Sequence, residues 1–174
     1  MDLSSTSLRT SRLLLKAFVP ADAPDAHAAS TPTLTRYMTW DPAPSLEHFE
    51  QICRTWLPMM ADGTDVSFAL RLASNHEFLG IVALHHIDAS EPTVGIWIKE
   101  AMHGYGFGRE AVAAVVSFAA RLGKQAVLYP VVEQNLQSRH LAECLGGHVI
   151  GKATLRKASG VELPEVIYRI PAAD

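Results

Sequence analysis

Apolar and polar residues alternate along several short segments, a pattern typical of strands with one buried face. In residues 8–18, LRTSRLLLKAF, Leu13 and Leu15 alternate with Arg12 and Lys16, and we predict one strand there. Other short segments predict further strands at residues 66–72, 77–87, 93–100, 126–132, 148–156 and 166–170. The turn sequences ASNHE and KASG predict hairpins between neighbouring strands.

Two segments in the first third of the chain have helical features. Residues 19–30, VPADAPDAHAAS, combine turn residues with a predicted short helix. Residues 45–60, SLEHFEQICRTWLPMM, place apolar side chains at helical spacing. We predict one amphipathic helix there, with Ser45 as its N-cap and Pro58 as an unfavourable residue near its end.

Two further helices are predicted in the second half. Residues 108–122 are rich in alanine and valine and predict a helix that ends at Gly123. Residues 135–147, NLQSRHLAECLGG, predict a short helix with Asn135 as its N-cap and a glycine pair as its stop.

Pro130 lies inside the predicted strand AVLYPVV. Proline has no N–H to donate, so one side of this strand should be unpaired near that point. Strands and helices follow one another without a long linker or repeat. The order therefore predicts a single mixed α/β domain over residues 1–174, built around one sheet.

Composition excludes several classes of protein. The chain is 48% hydrophobic and 19% charged, and its net charge of -3 leaves no basic surface that would make nucleic acid the expected partner. No apolar run reaches membrane-spanning length, and no cleavage site follows the N-terminal apolar stretch, so we predict a cytoplasmic protein. Cys53 and Cys144 form no C-x-x-C pair, and the histidines lack metal-ligand spacing. Two reduced thiols and no metal are expected.

The segment HGYGFGREA places three alternating glycines directly before the predicted helix at residues 108–122. Glycines at a helix N-terminus let unpaired N–H groups approach an anion, so the segment resembles a phosphate cradle. It is not a dinucleotide fingerprint, because Arg109 stands where G-x-G-x-x-G needs glycine, and no Lys-Ser/Thr follows as in a P-loop. A plain turn that needs glycine for packing remains the alternative.

The same segment resembles the acetyl-coenzyme A loop of GNAT acetyltransferases, Q/R-x-x-G-x-G/A, with His103 in the Gln/Arg position. Four other segments resemble the RimJ/RimL-like branch of that superfamily, in the same order along the chain. They are LRTSRLLLKAF, FLGIVALHHID, VGIWI and NLQSRHLAECLGG.

This resemblance implies a central, mostly antiparallel, splayed sheet flanked by helices. It implies an acetyl-CoA-dependent N-acetyltransferase that acts by direct attack in a ternary complex on a primary amine, either a protein N-terminus or a small amine. The alternatives are a non-catalytic module that senses acyl-CoA and a nucleotide-binding protein of another fold. The sequence leaves the oligomeric state open, a homodimer included.

The resemblance also assigns site residues. The tetrahedral oxyanion of acetyl transfer needs a backbone N–H donor, expected near Ile98. Asn135 is expected to contact pantetheine, and Ala142 stands where many GNAT enzymes have a tyrosine that protonates the leaving thiolate. We therefore expect Ser138 to protonate or position that thiolate. The expected cofactor-binding set is Ile98, His103, Gly104, Tyr105, Gly106, Phe107, Gly108, Arg109, Asn135 and Ser138.

The acceptor side is less constrained. His85 or its neighbour His86 is a candidate base for the amine, and so is Glu133, because the amine must react in its neutral form. Residues 29–45 and 157–165 are expected to form the acceptor pocket. Tyr37, Met38 and Trp40 make the first of these segments apolar, but they would fit the edge of a core equally well.

Overall fold

A computed structural model describes residues 1–172, in which strands and helices alternate along the chain. The strands are β1 (Ser7–Arg9), β2 (Leu13–Ala17), β3 (Val66–Leu72), β4 (Phe78–His85), β5 (Thr93–Ile98), β6 (Ala126–Val132), β7 (His148–Arg156) and β8 (Glu162–Pro171). The helices are α1 (Ala23–Ala29), α2 (Pro32–Thr35), α3 (Leu46–Arg54), α4 (Trp56–Asp62), α5 (Phe107–Arg121) and α6 (Leu136–Cys144). Short 3-10 turns lie at Pro20–Asp22 and Glu100–Met102.

All eight strands form one sheet in the order β1-β2-β3-β4-β5-β6-β8-β7. Neighbouring strands are antiparallel except β5 and β6, which are parallel. The prediction of a mixed, mostly antiparallel sheet with flanking helices is confirmed.

Two predicted elements are each divided in the structure. The single strand expected over residues 8–18 is the hairpin of β1 and β2, because Thr10 closes a turn by accepting the Leu13 N–H at 2.9 Å. The single helix expected over residues 45–60 is interrupted at Thr55. This break places Pro58 in the first turn of α4, where a missing N–H costs no helical hydrogen bond.

Hydrophobic cores cover both faces of the sheet. Successive residues of a strand point to opposite faces, so Phe68 joins the core beneath α5 while its neighbour Ala69 joins the core beneath α1 and α3. The α5 core contains Val112 and Val115, and the opposite core contains Phe49 and Trp97. The sheet is thus rigidly held on both sides, and its strand ends can present a site.

The sheet opens between β5 and β6. These two strands are paired only at Thr93 and Leu128, whereas β6 stays paired with β8 as far as Val132 and Glu165. The N–H of Glu133 donates to Pro164 O, and hydrogen-bonded pairs alternate with non-hydrogen-bonded pairs along an antiparallel ladder. Pro130 therefore lies in a non-hydrogen-bonded pair with β8, and its backbone nitrogen faces the opening. The expectation that Pro130 marks an unpaired side of its strand is confirmed.

Across the described residues, none of the helices is both long and apolar enough to cross a membrane. The same part of the chain contains no cluster of His, Cys, Asp and Glu that could hold a metal ion.

The close approach of β4 and β5 beside the opening depends on Gly80. A Cβ atom at Gly80 would lie 2.0 Å from the backbone oxygen of Trp97. We expect Gly80→Ala to lower the free energy of unfolding by about 1–3 kcal/mol, because rigid backbone must move to accept the methyl group. A urea titration should show a lower midpoint with an unchanged slope.

Gly151→Ala is the control, since a Cβ atom there meets nothing within 4 Å. This variant should stay within about 0.5 kcal/mol of the parent protein. Equal midpoints for the two variants would contradict the assigned contact between Gly80 and Trp97.

Candidate active site

A cleft of about 630 Å³ lies where the sheet opens. Its floor is formed by the end of β5, and one wall by the turn that precedes α5 together with the N-terminal part of that helix. Tyr129 of β6 and one side of α6 form a second wall, and residues 33–38 form a third. The cleft thus joins the glycine segment, the opening in the sheet and the expected acceptor segment.

The glycine turn adopts a backbone that other residues disfavour. Gly104 has φ = 83° and Gly106 has φ = 79°, both in the left-handed region. A Cβ atom at Gly104 would meet no atom within 4 Å, so the space in front of this backbone is open. Gly106 is the N-cap of α5 and has no side chain to satisfy the first N–H groups of this helix. The turn therefore offers unpaired N–H donors and the positive end of a helix dipole to the cleft.

Contacts from the β1–β2 turn hold the glycine turn in place. Arg12 donates from Nε to Glu110 at 2.7 Å and from Nη1 to the Tyr105 carbonyl at 3.0 Å. Its guanidinium lies 4.7 Å from the centre of the Phe107 ring. Burial acts to raise the pKa of Glu110, but hydrogen bonds from Thr10 and Arg12 and the charge of Arg12 outweigh it, so the pKa is lowered. Glu110 is thus an anchor for the turn.

The backbone of Ile98 faces the opening in the sheet. Ile98 is opposite Gly80, and the N–H of Lys99 donates to Leu79 O at 2.7 Å. In an antiparallel ladder this places Ile98 in a non-hydrogen-bonded pair, with its N–H and C=O directed away from β4. Because β6 has already separated from β5, the Ile98 N–H has no strand partner within residues 1–172. Its position on the floor of the cleft is the one expected for an oxyanion donor.

His103 and Arg109 line the same cleft, whereas Tyr105 does not. His103 donates from Nε2 to the Ile98 carbonyl at 2.6 Å, so this nitrogen is bound to the end of β5. Arg109 is exposed and forms no ion pair in the described part of the chain, which leaves its charge available to a ligand. The Tyr105 side chain is 62% exposed, and the residue contributes its carbonyl to Arg12.

The start of α6 brings Asn135 and Ser138 into the cleft. Asn135 is the N-cap, and its Oδ1 accepts the Ser138 N–H at 3.2 Å. The Ser138 hydroxyl lies 2.7 Å from the hydroxyl of Tyr129. Ala142 is completely buried beneath the same helix, so this position supplies no proton donor.

Tyr129 is held in its neutral form. Its side chain is 3% exposed, and burial raises the pKa of its phenol to about 12, against the opposing effect of the hydrogen bond with Ser138. The phenol therefore keeps its proton at physiological pH.

The structure does not bring the expected bases to the cleft. His85 lies at the far end of β4, where its Nδ1 is 2.8 Å from the Asp65 carboxylate. Strand residues rise about 3.3 Å each, so His85 is well removed from Ile98, which is opposite the other end of β4. His86 follows that strand with φ = 55°, and Glu133 forms an ion pair with Lys152. None of the three lines the cleft.

The expected acceptor segments have different roles. Tyr37, Met38 and Arg36 line the cleft, while Trp40 packs edge-on against Trp97 with ring centres 6.3 Å apart. No residue of the segment 157–165 lines the cleft. Lys157 instead supports the first segment, because its buried ammonium donates to the Thr35 carbonyl at 3.0 Å and pairs with Asp41 at 2.6 Å.

Three residues of the site were missed by the sequence interpretation. The sequence predicts Arg12 only as a strand residue, although LRTSRLLLKAF and HGYGFGREA are both segments that carry the family resemblance. Tyr129 shares its strand with Pro130, and that proline had already located the opening. Glu100 lines the cleft and accepts a hydrogen bond from Thr31, and the sequence held no signal for it beyond its place before the glycines.

Together, these residues fit acetyl-coenzyme A. The open glycine turn and the first turn of α5 suit a pyrophosphate, and Arg109 adds a positive charge beside them. The unpaired edges of β5 and β6 and the amide of Asn135 suit the polar, extended pantetheine chain.

Comparisons with known proteins agree with this geometry. A family model described as an acetyltransferase (GNAT) domain matches residues 12–148. A comparison with curated protein sequences returned no match.

Solved structures share the fold at low sequence identity. The ribosomal alpha-N-protein acetyltransferase RimL, in complex with coenzyme A, has a TM-score of 0.83 at 18% identity, over 97% of this chain and 100% of that one. Spermidine N-acetyltransferase from Vibrio cholerae, in complex with CoA and spermine, has a TM-score of 0.79 at 19% identity, over 94% of this chain and 97% of that one. A GNAT-family acetyltransferase from Bacillus anthracis has a TM-score of 0.81 at 16% identity, over 97% of this chain and 100% of that one.

At these identities the structural likeness establishes the fold. The family model extends from the start of β2 to the start of β7 and includes the glycine turn, Ile98 and the whole of α6. The chain therefore belongs to the GNAT acetyltransferase family.

Proposed function

We propose that this GNAT acetyltransferase binds acetyl-coenzyme A along the opening between β5 and β6 and passes the acetyl group to a primary amine. The acceptor is a protein N-terminus or a small amine, and it enters past residues 33–38. The observation that carries the proposal is the Ile98 N–H, directed into the opening at the floor of a cleft that begins at the glycine turn. We further propose that residues 1–174 act as a single catalytic domain. The cytoplasmic location stays a prediction.

Each part of the cleft has a separate task in this reaction. Bound acetyl-coenzyme A supplies an activated acetyl thioester. The N–H groups of residues 104–108 bind phosphate, and Asn135 holds the chain that leads to the thioester. The Ile98 N–H donates to the acetyl oxygen as negative charge develops there, which is worth most in a site that excludes water. Ser138 donates from its hydroxyl to the leaving sulfur.

Glu100 takes the place of His85 on the acceptor side of this proposal. It follows β5 by two residues, lines the cleft and is oriented by the Thr31 hydroxyl. A carboxylate there attracts an ammonium group and accepts hydrogen bonds from the amine, while water conducts the surplus proton to solvent. Structural relatives named for acetylation of a ribosomal protein and of spermidine support a primary amine as the acceptor class.

The acetyl transfer itself is tested with a panel of peptides with free N-termini and small amines. We expect release of one free thiol for each amine acetylated, measured by a thiol reagent and by mass spectrometry of the product. Binding of coenzyme A without turnover of any amine would instead indicate a non-catalytic acyl-CoA module. Displacement of coenzyme A by ATP would indicate a general nucleotide site.

Phosphate binding by the glycine turn is tested by Gly104→Ala. The methyl group would occupy the open space before the donor N–H groups, and we expect the affinity for coenzyme A to fall about tenfold or more, as for the loss of one charge-assisted hydrogen bond. Isothermal titration calorimetry measures the change.

Gly123→Ala is a matched control for that variant. Gly123 has φ = 81°, close to the 83° of Gly104, and a Cβ atom at either position meets nothing within 4 Å. Both variants should therefore lose a similar amount of stability, about 1–2 kcal/mol, but Gly123 is remote from the cleft. Equal losses of affinity in the two variants would show that backbone strain, not the position, is responsible.

The role of Glu100 is tested by Glu100→Gln. We expect the KM for the amine to rise about fivefold, equivalent to about 1 kcal/mol for an exposed charge pair, with unchanged affinity for coenzyme A. Steady-state kinetics at saturating acetyl-coenzyme A provides the measurement. Glu162→Gln removes a carboxylate that pairs with Arg156 outside the cleft, and it should leave this KM unchanged. A wild-type KM in Glu100→Gln would remove Glu100 from the acceptor site.

A further inference from the structure

Two hydroxyl groups meet on the α6 side of the cleft. Ser138 stands in the first turn of α6, and Tyr129 stands on β6 behind it, with 2.7 Å between their oxygens. Both residues line the cleft, but Tyr129 is 3% exposed whereas Ser138 is only half-buried. Ser138 is therefore the group that reaches the ligand space, and Tyr129 lies against its rear.

The direction of this hydrogen bond follows from the two groups. A phenol is a stronger donor than an aliphatic hydroxyl, because it is the more acidic of the two. The Tyr129 hydroxyl makes no other hydrogen bond in residues 1–172, so its proton has only Ser138 as an acceptor. When Tyr129 donates to Ser138, the Ser138 proton is directed elsewhere, and the open direction is the cleft.

We propose that Tyr129 is a positioning residue for acetyl transfer, which donates to Ser138 and thereby directs the Ser138 hydroxyl at the leaving sulfur. This inference rests on the proposed function. As the carbon–sulfur bond breaks, its electron pair moves to sulfur, and Ser138 donates a hydrogen bond to that charge. The proton that completes the thiol comes from the amine nitrogen as the amide forms, so Tyr129 and Ser138 both end the cycle protonated.

Tyr129 acts by orientation and not as an acid. Burial raises the pKa of its phenol to about 12, far above the ordinary range of a thiol near 8.5, so transfer of its proton to the thiolate would be uphill. A chain of two hydroxyls also strengthens the outer donor, because each hydrogen bond polarises the next. The Tyr129 hydroxyl comes from strand β6, whereas position 142 of α6 holds a completely buried alanine.

Tyr168 provides a matched control. It lies opposite Tyr129 on β8, is equally buried, and donates from its hydroxyl to Glu143 of α6 at 2.7 Å. It also accepts a hydrogen bond from Arg139 at 3.1 Å. Both tyrosines thus attach α6 to the sheet, but of the two only Tyr129 touches Ser138. A loss that arises from a loosened helix would appear in both variants.

The first experiment is a kinetic double-mutant cycle with Tyr129→Phe and Ser138→Ala. We expect Tyr129→Phe to lower kcat about three- to tenfold, the net effect of one hydrogen bond, with the KM for acetyl-coenzyme A within about twofold of wild type. Ser138→Ala should lower kcat at least as much without abolishing turnover. In the Ser138→Ala background, Tyr129→Phe should have no further effect, because Tyr129 acts through Ser138. Tyr168→Phe should keep the wild-type kcat.

The pH profile separates orientation from acid catalysis. The ratio of wild-type to Tyr129→Phe kcat should be constant between about pH 6.5 and 8.5, because the phenol keeps its proton throughout. His103, His140 and Cys144 also line the cleft, but they are present in both proteins, so any effect they have on the rate cancels in the ratio. A ratio that changes across this range would indicate that Tyr129 transfers a proton, and it would contradict a role in orientation alone.

A binding measurement tests the same contact without turnover. Wild-type protein should bind coenzyme A about threefold or more tightly than desulfo-coenzyme A, which lacks only the sulfur. This preference should shrink toward unity in both Tyr129→Phe and Ser138→Ala, and it should persist in Tyr168→Phe. Calorimetry or competition binding provides the ratio.

The outcomes distinguish the inference from the proposed function. A chain that binds coenzyme A but acetylates no amine would refute the proposed function. An active chain in which Tyr129→Phe keeps the wild-type kcat and the preference for sulfur would overturn only the inference. It would also be overturned by an equal loss in Tyr168→Phe, or by a Tyr129→Phe effect that persists in Ser138→Ala.

Discussion

The site depends on one constraint, the early end of the pairing between β5 and β6. Strands in the middle of a sheet normally satisfy every backbone group, and each buried group left unpaired costs about 1–3 kcal/mol. Here the two strands are paired only at Thr93 and Leu128, and the N–H of Ile98 faces the gap. Pro130 removes one donor from the opposite edge, and His103 satisfies the Ile98 carbonyl. The remaining edges form a polar groove that suits an extended ligand.

Contacts between residues distant in sequence hold the walls around this gap. Arg12 ties the β1–β2 turn to Glu110 and to the glycine turn. Tyr129 and Tyr168 attach α6 to the sheet through their hydroxyls. Lys157 supports residues 33–38 from the β7–β8 hairpin through the Thr35 carbonyl. These contacts let a turn, a short helix and a loop keep the geometry that precise positioning requires.

The donors in the cleft are mostly backbone N–H groups and hydroxyls that keep their protons at physiological pH. The Ile98 N–H and the N–H groups of the glycine turn are fixed donors of this kind, and our proposal gives the Ser138 hydroxyl the same part. Their charge does not change between pH 6 and 8, so what they contribute to a reaction depends on where they point. His85 and His86, in contrast, lie at the other end of β4 and do not line the cleft.

The amino-acid sequence by itself determined the local elements and the cofactor loop. Short strand-forming runs located β3, β6 and β7 to the residue, side-chain caps located the starts of α3 and α6, and Pro130 indicated the open side of its strand. These signals are local, since capping, glycine conformation and strand periodicity depend on neighbours in the chain. The tertiary structure alone decided that His85 is remote from the cleft, that Arg12 anchors the glycine turn, and that Tyr129 lies behind Ser138. Those facts depend on which strand ends and which side chains meet across long separations in sequence. A one-residue change of register between β6 and β8, for example, would turn Tyr129 to the other face of the sheet.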